Sequence, residues 1–256
     1  MRRTVVRQRE DGDLAVSEII GYVAVLGLIM SSMSIVYFNG VPALESTEKS
    51  EKLQSVETAF GVLQSDVRDL ADGNAAKRLT QINLQGDSIE LSDRWRAWVN
   101  VSIVNTTSGN ELCGGQFCNT SLVPIAFESE GTYILYENGA VIRGFNRSGM
   151  IHQPNWVFQR DAVIVPVVAT RGRGEVAGSG VFSVRTDRTE SQAIVETTDT
   201  DELRMTVTVD SEWPVAWRTY LEEHGTVTQN GDKVKLVVDD LEKAIYKKTV
   251  VRANFA

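Results

Sequence analysis

The chain holds 256 residues, of which 42% are hydrophobic and 7% aromatic, and its formal net charge is −8. This composition excludes a wholly disordered chain. The acidic balance argues against a nucleic-acid partner, which would need a basic face. The length provides for one sizeable domain and a further helical segment, because typical domains hold about 100 to 150 residues.

An apolar run covers residues 19–38 and carries no charge. At about 1.5 Å rise per residue, a helix of this length spans roughly the 30 Å of a bilayer core. The run therefore predicts a membrane or filament-core helix over 16–38, preceded by a polar leader, 1–15. Four arginines lie in the leader and no cation follows until Lys49. This bias predicts a cytoplasmic N-terminus and an extracellular remainder.

The start of the run resembles the processing site of archaeal type IV prepilins. Leu14-Ala15-Val16-Ser17-Glu18-Ile19-Ile20-Gly21 places a small residue at the end of the leader, followed by Ser-Glu-x-Ile-Gly and the apolar helix. In that family a membrane peptidase cuts before the helix, which stays in the mature protein and packs into a filament core. The resemblance implies a class III signal peptide, a prepilin peptidase as partner and a cut between Ala15 and Val16. The motif residues are Ala15, Val16, Ser17, Glu18 and Gly21.

Two positions differ from the usual prepilin pattern. Leu14 stands where the family usually has Lys or Arg, and Ile20 stands at the fifth mature position, where pilins have glutamate. Glu18 is the nearest carboxylate. After cleavage it would lie within one turn of the new Val16 amine, and a charge near lipid needs such a partner. The alternative is that Glu18 simply lies at the level of the headgroups.

Small residues recur on the apolar helix at three- and four-residue spacing and gather on one face. Such residues let helices approach closely in lipid. The face therefore predicts packing against like subunits or other pilins, and the ordinary frequency of Gly and Ser in single-span helices is the alternative. Its members are Gly21, Ala24, Gly27, Ser31 and Ser34.

A second, amphipathic helix is predicted over 43–72, after a break or kink at Asn39-Gly-Val-Pro42. Its apolar residues follow a heptad spacing, and Asp72-Gly-Asn predicts its end. The stripe could pair with a partner helix as a stalk or lie on the chain's own sheet, which is the usual arrangement in pilins. The stripe consists of Leu53, Val56, Phe60, Leu63, Val67 and Leu70.

Residues 79–256 change to short runs rich in Val, Ile, Thr and aromatics, interrupted by one helix at about 214–224. Asn138-Gly139 and Asn230-Gly231 predict tight hairpins. The predicted fold class is α+β: a long membrane helix and a second helix, then an antiparallel β-sandwich or barrel-like domain on a pilin-like plan. The predicted strands are 80–85, 95–104, 122–127, 133–137, 140–145, 162–168, 181–185, 203–209 and 233–238.

Cys113 and Cys118 bracket four residues and predict a small disulfide loop if the domain lies outside the reducing cytosol. Free thiols are the alternative, and a zinc site lacks nearby histidines. Four triplets match the N-glycosylation acceptor, three of them around the cysteines. We expect one or two to be used, with Asn100 the weakest because it lies in a predicted strand. The acceptors are Asn100, Asn105, Asn119 and Asn146.

No pattern predicts catalysis. His152 and His224 have no Ser or Cys nucleophile motif nearby. Residues 172–177 fit the alanine-ended dinucleotide fingerprint, but a β-like run follows where a helix is needed, so we interpret them as a flexible loop between strands. The acidic clusters lack the spacing of a calcium loop. We therefore predict no enzyme, no cofactor and no metal site.

The run Tyr133-Ile-Leu-Tyr-Glu-Asn-Gly-Ala-Val-Ile-Arg143 resembles an uncharacterised family of haloarchaeal membrane-anchored surface proteins. That resemblance spans the chain and implies no activity. The sequence thus predicts a structural cell-surface protein: a single-pass, pilin-like subunit anchored in the cell membrane, or assembled into a surface filament, that displays an extracellular glycoprotein domain. The alternative is a non-assembling, signal-anchored binding module of unknown ligand.

Overall fold

The computed structural model describes residues 11–95, 97–115, 118–144, 148–198 and 202–256. The chain divides into two compact units, Met1–Leu53 and Gln54–Ala256. The first unit contains helix α1 (Asp11–Ile35), a five-residue π-helical turn (Val36–Gly40) and the start of helix α2 (Val41–Asp72). The second contains the rest of α2 and the β-domain.

The predicted break at Asn39–Pro42 is instead the π-helical turn. Val41 keeps right-handed helical angles, φ −63° and ψ −50°, so the backbone does not leave the helix. Pro42 has no N–H, and its ring crowds the carbonyl four residues earlier. The π-helical turn lies just before this proline, where the regular hydrogen-bond pattern is interrupted. Of the two predicted possibilities, the break does not occur, because the helix continues through the π-helical turn.

The part of α2 in the second unit buries its apolar stripe. Val56, Phe60, Leu63, Val67 and Leu70 are all almost inaccessible to solvent. The predicted stop is confirmed, because α2 ends at Asp72 and the left-handed Gly73 follows, with its N–H bonded to the carbonyl of Leu70. The stripe lies on the chain's own β-domain.

The β-domain contains three sheets within the described residues. Sheet I has the order β1-β13-β17-β11-β10, sheet II the order β12-β2-β6-β7-β8-β9, and sheet III the order β15-β16-β14-β3-β4, with β5 also paired to β3. Their bounds are β1 Lys77–Asn83, β2 Ser88–Leu91, β3 Ala97–Asn105, β4 Glu111–Cys113, β5 Asn119–Leu122, β6 Ile125–Ser129, β7 Thr132–Glu137, β8 Ala140–Gly144, β9 Ser148–His152, β10 Val157–Phe158, β11 Ala162–Arg171, β12 Gly174–Ala177, β13 Val181–Thr197, β14 Leu203–Asp210, β15 Thr226–Asn230, β16 Lys233–Leu241 and β17 Lys243–Phe255.

The strand pairs are antiparallel except for β11 and β17, which run parallel in sheet I. A short helix, α3 (Pro214–Leu221), follows β14 and buries Trp217 and Leu221 in an apolar core cluster of the domain. The predicted fold class is confirmed: a long N-terminal apolar helix precedes a mostly antiparallel β-domain. The division into three sheets and the parallel pair are additional to the prediction.

The hairpin predicted at Asn138-Gly139 is confirmed. These residues join β7 to β8 with φ values of 48° and 82°, the left-handed pair that a tight turn of this kind requires. At the second site the turn lies one residue later than predicted, because Asn230 still pairs with Lys233 and the turn consists of Gly231 and Asp232.

Sequence reasoning missed the strand β17 and misassigned residues 172–177. Part of that presumed loop is the strand β12, which pairs with β2. A side chain at Gly172 would overlap the carbonyl oxygen of Ala253 in β17. The absence of a side chain at Gly172 therefore allows its backbone to lie close to that of β17.

Candidate functional site

The apolar helix is exposed along its length. Every large apolar side chain from Ile19 to Phe38 is exposed, and no residue of its most apolar 18-residue window is buried. Among the described residues it is the one helix long and apolar enough to cross a membrane. An exposed apolar surface of this size is not stable in water and indicates a lipid or protein environment.

The residues of the predicted packing face are open. A side chain added at Gly21 or Gly27 would meet no atom within 4 Å. The Ser34 hydroxyl donates to the carbonyl of Met30 at 2.9 Å, so this polar group is satisfied inside the helix. The face therefore offers close approach to another helix. Ala24 and Ser31 lie on the same helix α1.

The predicted processing residues lie within α1. The helix begins no later than Asp11 in the described part of the chain, so the peptide bond between Ala15 and Val16 has helical backbone on both sides. Ser17, Glu18 and Gly21 follow on the same helix. The predicted cleavage position thus lies inside a continuous helix, a few residues before the apolar segment.

Polar groups of the β-domain fix the end of α2. Lys247 donates to the carbonyl of Ala71 at 2.5 Å and Arg188 to that of Leu70 at 3.2 Å. Cations suit this end of a helix because its last carbonyls are unpaired. Arg78 of β1 bonds Asp69 at 2.7 Å, and this hydrogen bond lowers the pKa of Asp69 below its ordinary value.

The two cysteines form a disulfide in the structure, with their Cα atoms 6.0 Å apart. Cys113 ends β4 and Cys118 precedes β5, and both strands pair with β3. The bond therefore holds two short strands against the same neighbour.

The four acceptor asparagines lie in different surroundings. Asn100 is half-buried in β3, between β5 and β14. Asn105 is engaged: its Oδ1 accepts from the Ser108 N–H at 2.7 Å and its Nδ2 donates to Glu202 at 3.2 Å. Asn119 is exposed at the start of β5. Asn146 lies outside the described residues.

A buried carboxyl group that sequence reasoning missed connects sheet II to α3. Glu137 ends β7 and is 1% exposed. Its Oε1 accepts from the Trp217 indole N–H at 2.6 Å and its Oε2 from the Ser211 hydroxyl at 3.0 Å. Burial raises the pKa of Glu137 to about 7, although these two hydrogen bonds act in the opposite direction. These hydrogen bonds hold the end of β7 against α3.

The two histidines make other contacts. His152 lies in β9 with its Nε2 close to Gly61 of α2, whereas the ring of His224 stacks on Phe158 at 4.2 Å between centroids. Within the described residues, no three His, Cys, Asp or Glu side chains form a group that could hold a metal ion.

The fold and the exposed helix define an α+β protein with one N-terminal membrane-capable helix and a mostly antiparallel β-domain. Residues 15–254 match a family described as Family of unknown function (DUF7289), and the chain belongs to this family. The match begins at Ala15 and so includes the apolar helix as well as the domain.

An uncharacterized protein of the archaeon Archaeoglobus fulgidus is 30% identical over 96 residues, which cover 38% of this chain and 31% of that protein. The chain thus matches less than a third of the relative's length. No solved structure matches the chain. The prediction of an archaeal family without an assigned role is confirmed, whereas the pilin-like identity and the signal peptide stay predictions.

Proposed function

We propose that the chain is a pilin-like structural subunit of the archaeal cell surface, held by residues 19–38 and displaying the β-domain outside the cell. The exposure of the whole apolar segment carries this proposal, because the segment buries none of its side chains in the protein. The β-domain, in contrast, has a complete core and a disulfide, which suits an oxidising exterior.

Three further observations support the proposal. Part of the sequence is similar to an uncharacterized archaeal protein. The arginines of the leader favour a cytoplasmic N-terminus. The motif around Ala15 and Val16, directly before the apolar segment of α1, matches the position at which a prepilin peptidase would cut.

Mass spectrometry of the protein from membranes of an archaeal host tests the processing. We expect a mature N-terminus at Val16. Ala15→Leu, which removes the small residue before the cut, should retain the leader. Leu14→Arg, which supplies the usual basic residue of the family, is the matched control and should be cut at least as completely. Retention of Met1 or Arg2 in the unchanged chain would remove the processing from the proposal.

Fractionation of the same cells tests assembly. Surface filaments are sheared off and compared with membranes by immunoblot. We expect the unchanged chain in both fractions, and Gly27→Leu, which fills the small-residue face, in membranes alone. Met30→Leu is the control and should fractionate as the unchanged chain does. If the unchanged chain occurs in membranes and never in filaments, the non-assembling binding module is the better description, and Leu14 at the leader junction already favours it.

A further inference from the structure

The outer face of sheet III carries an exposed tryptophan beside a glycosylation acceptor. Trp98 and Asn100 are two residues apart on β3, so both side chains point to the same face. In the register of β3 with β5, Trp98 lies opposite Ser121 and Asn100 lies opposite Asn119. Both the asparagine and the serine of the acceptor triplet Asn119-Thr120-Ser121 therefore share this face with the indole.

This face forms a shallow groove with polar walls. Trp98, the second residue of β3, is 40% exposed, so much of its indole ring is open to contact. The Lys233 ammonium lies 3.7 Å from the Asp210 carboxylate at one side. A sugar ring presents an apolar C–H face to an aromatic ring and hydroxyl groups to amides and charges, and the groove offers both kinds of partner. Its volume is about 360 Å³, and it is lined by Trp98, Asn100, Asn119, Thr208, Asp210 and Lys233.

We propose that Asn119 carries an N-linked glycan whose first sugar rings lie on Trp98. Diagonal neighbours on an antiparallel pair are about 7–8 Å apart, within reach of long and aromatic groups. A sugar on the Asn119 amide therefore extends over the indole. The inference rests on the proposed function, because the acceptor must reach the outside of the cell.

The attachment is a transfer from a glycan carried on a lipid phosphate. The Nδ2 atom of Asn119 forms a bond to the anomeric carbon of the sugar, and the bond from that carbon to the phosphate oxygen breaks. The lipid phosphate leaves with the bonding electron pair, and the amide nitrogen loses one proton to the solvent. No redox change occurs.

The other described acceptors fit a glycan less well. Asn100 is half-buried, whereas Asn119 directly opposite is exposed, and Cβ atoms about 4.5–5.5 Å apart leave little room for a second glycan. A glycan on Asn105 would disturb the hydrogen bonds of its amide with Ser108 and Glu202. Asn119 is the acceptor that the fold leaves open.

Peptide mass spectrometry of the full chain, expressed in an archaeal host that glycosylates surface proteins, tests the site. We expect a glycan on Asn119 and bare amides at Asn100 and Asn105. Asn119→Gln and Ser121→Ala should each remove the glycan. Thr107→Ala, which removes the hydroxyl of the Asn105 triplet, is the matched control and should leave it in place.

Protease treatment of intact cells distinguishes the two reasons for which Asn119 could lack a glycan. A bare Asn119 in a domain that the protease digests overturns the glycan alone. A bare Asn119 in a domain that the protease cannot reach overturns the proposed function and the glycan with it.

A double-mutant comparison tests the contact with Trp98. In the unchanged background, loss of the glycan by Asn119→Gln should lower the thermal unfolding midpoint by about 2–4 °C, the shift that corresponds to about 1 kcal/mol for a domain of this size. In the Trp98→Ala background the same loss should have no effect, although the glycan is still attached. Val195→Ala, at an exposed position of sheet I, is the control background. Equal shifts in all backgrounds would exclude the stacking.

Discussion

The apolar helix and the β-domain place the same kinds of residue in opposite surroundings. Leu28 and Phe38 are 68% and 74% exposed, whereas Leu63 and Phe60 in the domain are fully buried. The cause is the pattern: residues 19–38 are apolar on all sides, whereas α2 from Gln54 onward is apolar on one stripe. A stripe is covered by one sheet, but a helix that is apolar all round needs lipid or several partner helices.

Polar groups show the same contrast. In the helix, the hydroxyls of Ser32 and Ser34 bond back to carbonyls of their own helix. In the domain, Glu137 is satisfied by Trp217 and Ser211, which belong to other elements. These two serines of the helix therefore need no hydrogen-bond partner from their surroundings. The buried carboxylate of the domain finds its partners within the domain. Substitutions in the apolar helix should therefore leave the stability of the β-domain unchanged. Substitutions in the β-domain should leave membrane retention unchanged.

The largest effect should come from two charges in the middle of the apolar helix. Val25→Asp combined with Ile29→Asp should cost about 6 kcal/mol of membrane insertion, since each central aspartate costs about 3 kcal/mol. Carbonate-washed membranes should lose the protein. Leu79→Asp with Val181→Asp makes the same charge change at exposed positions of the β-domain and should stay in the membrane pellet. Equal retention of both variants would place the helix outside lipid.

A smaller effect should come from a cavity under α2. Phe60→Ala should lower the unfolding free energy of the domain by about 3–5 kcal/mol, because a fully buried ring is removed. The measurement is chemical denaturation of the full chain in detergent micelles, and membrane retention should not change. Val62→Ala, at a 51% exposed position of the same helix, should change stability by about 0.5 kcal/mol or less. Similar losses for both would contradict the burial of the stripe.

The smallest effect should come from the ionisation of Glu137. Burial, together with the nearby carboxylates of Asp210 and Glu212, raises its folded pKa to about 7 from an ordinary value of 4.5. The folded state therefore holds the proton more tightly. The stabilisation is complete below pH 4.5 and is lost as the pH rises to 7, a loss of about 3 kcal/mol.

Glu137→Gln keeps an acceptor for Trp217 and removes the charge, so its stability relative to the unchanged chain should rise between pH 5 and pH 8. Denaturation curves of the full chain at both pH values measure the difference. Glu175→Gln, on an exposed position of β12, is the control and should follow the unchanged chain. A parallel pH dependence in all three proteins would show that Glu137 ionises as freely as in the unfolded chain.

Local patterns predicted the helices, their approximate ends and the hairpin at Asn138-Gly139, because each depends on neighbours in sequence. The strand β17 was missed although Ala244, Tyr246, Val251 and Ala253 are buried, since its lysines weaken the strand signal. The partners of Glu137 could not be predicted at all. Trp217 lies 80 residues further along the chain, and no spacing rule connects the two.

The position of β17 determines when sheet I can be completed during synthesis. This last strand lies between β13 and β11 in the middle of sheet I, and Ala256 exchanges hydrogen bonds with Ser183. Until residues 243–256 have left the ribosome, β11 and β13 have no neighbour to join them. Such late, distant pairing is slow. Sheet I is therefore completed only after β17 has been synthesised, long after residues 19–38.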